Sequence, residues 1–89
     1  RRVAALAKAM NKRIIPHGYK SNVLLATNLA FLSQHWTEGL EYSIADSPLR
    51  WEMTHEKLLI GSDGRVAVPR GPGLGVTLDE AAIAKYRVD

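Results

Sequence analysis

The chain has 89 residues, 46% of them apolar, and a formal charge of +3 from 12 basic and 9 acidic side chains. That apolar share belongs to a folding chain rather than a disordered one, and the lack of cysteine excludes a disulfide framework, a thiolate nucleophile and cysteine-bound metal. No apolar run approaches the roughly 18 residues that span a bilayer, and Arg1-Arg2 leads into an amphipathic stretch rather than a secretory core. The expectation is a soluble, cytoplasmic protein with no membrane partner. The basic residues are scattered among acids rather than gathered in a stripe, so nucleic acid is not expected either. The chain begins without Met and reads as helix from its first residues, which predicts a fragment of a longer protein.

Arg1–Met10 predicts a helix: Val3, Leu6 and Met10 stand at i, i+3 and i+7, alanines fill the turns, and Asn11 is a plausible stop. Lys12–Pro16 predicts a short strand around Ile14-Ile15, with Pro16 marking its end or an edge. After the His17–Lys20 loop, Ser21 or Asn22 can cap a helix over Asn22–Gln34. That helix is apolar on most of its circumference and should be buried on more than one side. Trp36 reads as a packing residue. Leu40–Ser43 predicts a second strand, and Ala45–Met53 carries few periodic cues.

Glu56–Pro69 predicts a hairpin, with Leu58-Leu59-Ile60 and Val66-Ala67-Val68 flanking Gly61-Ser62-Asp63-Gly64. Gly71-Pro72-Gly73-Leu74-Gly75 matches no phosphate-binding pattern and reads as a structural turn. Thr77-Leu78-Asp79-Glu80 has capping-box spacing for a last helix ending near Tyr86. Strands separated by a helix of a dozen residues point to α/β architecture with parallel strands.

Two residues carry candidate chemistry. His17 directly follows an apolar strand, and an imidazole there can exchange a proton near neutral pH. Its competing reading is an ordinary loop or packed histidine. Glu41 lies inside the apolar strand Leu40-Glu41-Tyr42, where a carboxylate is costly unless paired or hydrated. It reads as functional, ion-paired or simply exposed. His35 and His55 read as surface residues, and no cluster has metal-ligand spacing.

Taken in order, the motifs are Ile15-Pro16-His17-Gly18, the Ala- and Leu-rich helix, Leu40-Glu41-Tyr42, Asp63-Gly64-Arg65-Val66-Ala67-Val68-Pro69 and Gly71-Pro72-Gly73-Leu74-Gly75-Val76. This succession resembles the carboxyl-terminal end of the mandelate racemase-like branch of the enolase superfamily, which includes many acid-sugar dehydratases. The resemblance implies a modified (β/α) barrel with an α+β capping domain. Residues 1–55 would be the end of the barrel, with Lys12–Pro16 as strand seven and Leu40–Ser43 as strand eight. Residues 56–89 would return to the cap.

It also implies a lyase, dehydratase or racemase that abstracts the proton α to a carboxylate, with bound Mg²⁺ stabilising the enediolate. His17 would be the base or acid. Glu41 would hydrogen-bond the substrate carboxylate, and Lys20 or Ser21 would lie near the substrate. The Mg²⁺ ligands would lie upstream of Arg1, with none in these residues. The partner would be a small-molecule carboxylate, and the full-length protein a homo-oligomer. The chain alone would be inactive and poorly stable. Two alternatives stand beside this: a lactonising or racemising superfamily member that uses a lysine pair, and a free-standing small α+β interaction domain in which His17 and Glu41 are structural.

Overall fold

The computed structural model describes residues 1–35 and 39–88; Trp36, expected to pack, lies outside them. Helix α1 (Arg2–Ala9) ends one residue before the expected Met10, and Asn11, the expected stop, leaves helical space with a φ of 51°. Its Ala4 turns inward, while Val3, Leu6 and Met10 stand exposed. Alanine propensity rather than burial of that stripe supports this helix.

Helix α2 (Asn22–Leu32) is the centre of the core. Ser21 adopts extended backbone, and its Oγ accepts the Leu24 N–H at 3.3 Å, as a cap should. The helix stops two residues short of the predicted Gln34. The backbone N–H groups of Gln34 and His35 donate to Phe31 and Leu32, three residues back, which tightens the last turn out of α geometry. Leu25, Ala26 and Leu29 pack on Leu58, with Leu40, Tyr42, Val66, Leu74 and Val76 around them. Residues from 1–55 and from 56–89 therefore share one apolar cluster.

Neither Lys12–Pro16 nor Leu40–Ser43 forms a strand ladder among the described residues. The two segments nevertheless lie side by side. A Cβ at Gly39 would sit 3.4 Å from Ile15 Cδ1, and Glu41 reaches His17. The partners advance together, 15 with 39 and 17 with 41, so the segments run in parallel. Both contacts run through side chains, whereas a strand requires backbone bonds to its neighbour.

Helix α3 (Pro48–Glu52) was not anticipated. Its signal is Ser47 in extended conformation before Pro48, whose ring presets the φ of a first helical residue. The hairpin is present but reduced to one antiparallel bridge, Ile60 with Val66. In the glycine-rich turn, Gly75 has φ +70° and a Cβ there would lie 2.6 Å from Pro69 Cβ, so the loop folds tightly on itself.

Helix α4 (Glu80–Tyr86) corrects the predicted capping box. Asp79 is its cap, with Oδ1 accepting the Ala82 N–H at 3.0 Å. Thr77 is instead taken by Glu56: its N–H and hydroxyl donate to the two carboxylate oxygens at 2.6 and 3.0 Å. An antiparallel bridge between Thr54 and Leu78 draws the same segments together, with His55 N–H on Thr77 O and Asp79 N–H on Met53 O. Beneath it, the fully buried Asn22 side chain donates through Nδ2 to Thr54 Oγ1 at 3.1 Å and to Glu56 O at 3.3 Å.

Candidate functional site

The parallel segments bring His17 and Glu41 together. His17 Nδ1 lies 2.6 Å from Glu41 Oε2, and the Gly18 N–H donates to the same oxygen at 3.2 Å. The His17 side chain is 73% exposed and that of Glu41 42%, so the pair faces solvent rather than the core. Gly18 cannot be replaced without cost. Its φ is +153°, and a Cβ would lie 2.3 Å from Leu24 Cδ2, within the first turn of α2. Glycine thus lets the chain pass close over α2 and turn its N–H toward Glu41. The Tyr19 ring stands edge-on to the imidazole at 5.5 Å between centroids. Lys20 lies exposed in the same loop, and Ser21 caps α2.

This arrangement can move a proton. With Nδ1–H donated to Glu41, the lone pair of the imidazole sits on Nε2, at the open edge of the ring. Glu41 then fixes the tautomer and stabilises the imidazolium when Nε2 takes a proton. Both contacts on Glu41 fall on Oε2. Sequence reasoning named the two residues but not their contact. The signal available for it was that each polar residue adjoins a short apolar segment, His17 just after Lys12–Pro16 and Glu41 inside Leu40–Ser43.

The other histidines have different surroundings. The ring of His35 packs on Phe31 at 4.6 Å, and His55 Nδ1 lies 3.6 Å from Asp79 Oδ2. Around His55 the charged groups are committed to one another. Hydrogen bonds from Lys85 and then Tyr86 hold the Glu52 carboxyl below its ordinary range, and in turn Glu52 holds the Lys85 ammonium above its own. The Thr77 N–H lowers Glu56, and the Ala82 N–H lowers Asp79. An open hollow of about 330 Å³ lined by Glu52, Lys57, Asp79 and Lys85 lies among these groups.

Among the described residues, no three His, Cys, Asp or Glu side chains converge as metal ligands. Mg²⁺ takes about six oxygen ligands, and the His17–Glu41 pair offers a single carboxylate, so these residues do not fit a Mg²⁺ site on their own. No helix of the described residues is long and apolar enough to cross a membrane.

Residues 1–82 match the family described as enolase C-terminal domain-like. A protein of Agrobacterium fabrum (strain C58) named D-galactarolactone cycloisomerase is 25% identical over 95 residues, covering 98% of this chain. The chain spans about a quarter of that relative's length, 25% of it. The chain belongs to the enolase C-terminal domain-like family.

Proposed function

We propose that this family member is the carboxyl-terminal part of an enzyme that removes the proton α to a carboxylate in a hydroxy acid, an acid sugar or its lactone. The observation that carries the reading is the contact of 2.6 Å between His17 Nδ1 and Glu41 Oε2. His17 acts as general base through Nε2, and Glu41 orients its ring. With a proton on Oε1, Glu41 gives up its charge on the imidazolium but still accepts at Oε2 from both N–H groups, and it donates from Oε1 to the substrate carboxylate. Lys20 and Ser21, in the loop that follows His17, line the approach to the substrate. The parallel segments 12–16 and 40–43 correspond to strands seven and eight of a (β/α) barrel, and residues 56–89 to the return into a capping domain.

The protonated His17 then serves as acid. An enediolate can expel an oxygen substituent on the β-carbon, and His17 can protonate it as it leaves. A hydroxyl gives dehydration, and a ring oxygen gives lactone opening, the substrate class in the relative's name. Racemisation would require a second acid, from outside these residues, that protonates the α-carbon on the face opposite His17. A Mg²⁺ ion, which would stabilise enediolate charge when bound, requires ligands from outside these residues.

The test is made in the full-length parent enzyme, with α-proton exchange into D₂O followed by NMR. His17→Asn and Glu41→Gln should each slow exchange by about 10²–10⁴-fold, the usual worth of a positioned acid or base; glutamine keeps the hydrogen-bond pattern of a protonated Glu41 but is far too weak an acid to share its proton with the enediolate. Unchanged exchange in His17→Asn sinks the reading.

A further inference from the structure

Arg50 is 3% exposed, and no carboxylate among the described residues pairs with it. A buried cation needs compensation. Here it comes from two aromatic faces and two carbonyls. The guanidinium carbon lies 4.6 Å from the Tyr42 ring centroid and 4.4 Å from that of Trp51. Nη1 donates to the carbonyl oxygens of Ser43 and Ala45. Tyr42 is itself anchored, its hydroxyl donating at 2.9 Å to the carbonyl of Leu58, a core residue. A continuous set of contacts thus runs from the core through Tyr42 and Arg50 to the 43–45 backbone, and Glu41 is the residue immediately before it.

We infer that Arg50 is a positioning residue for Glu41: it clamps residues 42–45 so that the Glu41 carboxylate stays against His17 and Gly18. The inference rests on the catalytic reading of Glu41 above. The clamp needs a planar cation that stacks and donates at once, so lysine, a compact ammonium, should not replace it.

The experiment is a double-mutant cycle in the full-length enzyme, reading kcat, KM and α-proton exchange for Arg50→Gln, Arg50→Lys, Glu41→Gln and the pair Arg50→Gln/Glu41→Gln. Arg50→Gln and Arg50→Lys should each lower kcat by about 10–100-fold with little change in KM, the scale of a small misplacement. In the Glu41→Gln background, Arg50→Gln should cost less than about threefold further, because the two act as a unit. Equal losses in both backgrounds, or full activity in Arg50→Lys, overturn the inference. An active Glu41→Gln single variant shows instead that the underlying reading has failed, and the inference falls with it. Should Arg50→Gln not accumulate folded, Trp51→Leu removes one stacking face in its place. It should lower kcat about 3–10-fold in the wild-type background and not in Glu41→Gln; equal losses again overturn the inference.

Discussion

The two polar ends of the molecule are built differently. Where residues 52–57 meet 77–86, the carboxylates tie one segment to another: Glu52 takes Lys85 and Tyr86 on Oε2, Glu56 takes both donors of Thr77, and Asp79 caps α4. Where residues 17–18 meet 41, Glu41 likewise receives both donors on one oxygen, but one of its partners is an exposed imidazole with an open edge. The first set of groups binds other parts of the fold. Groups with capacity left over are those that can meet a substrate.

The sharpest way to break this comparison is Gly18→Ala. It forces a side chain at φ +153° into Leu24, and should destabilise the chain by about 1–3 kcal/mol. It should also lower kcat of the parent enzyme by more than about tenfold by moving the N–H off Glu41. Thermal melting and kinetics check the two effects, and exchange protection at residues 80–86 should be retained. Asn22→Ala removes the buried link beneath the 52–57 and 77–86 segments, leaving the Thr54 hydroxyl with Glu56 O alone. Its expected cost is about 1–3 kcal/mol, read as a lower melting temperature with kcat nearly unchanged.

Two smaller effects sharpen the contrast. Asp79→Ala takes away the cap of α4 and should speed hydrogen–deuterium exchange in residues 80–86 without altering the His17 loop. Acid should act on the same end. Glu52, Glu56 and Asp79 titrate below their ordinary values of 4.5, 4.5 and 3.8, so their stabilisation is full above those values and fades as pH falls through the lowered ones. Lys85 is raised, so its share is full below 10.5 and is lost only in stronger base. The protection factor at 77–86, which is exchange corrected for its base-catalysed intrinsic rate, should therefore stay flat from about pH 5 to about pH 10 and fall below that range.

Local rules made part of this legible. The alanines of α1, the Ser21 cap and the Asp63-Gly64 turn are all decided within a few residues. The misses are long-range. Thr77 has the spacing of a cap, yet Glu56, 21 residues away, claims it and passes the capping role to Asp79. The expected strands lie side by side without a ladder, because a ladder depends on backbone register that no single segment encodes. Helix α3 was legible only through Ser47-Pro48, since five residues are too few for periodicity. At the site, His17 and Glu41 stood out by residue type, but their contact and the Arg50 stack arise only when distant segments meet.

The hairpin tip has a practical use. Residues 61–65 are exposed, Gly64 has nothing within 4 Å of where a side chain would go, and the 89 residues contain no cysteine. Ser62→Cys would therefore give this part of the chain one thiol for a fluorophore or spin label. A reporter there would read the state of the carboxyl-terminal segment from outside the His17–Glu41 pair, without competing for its chemistry.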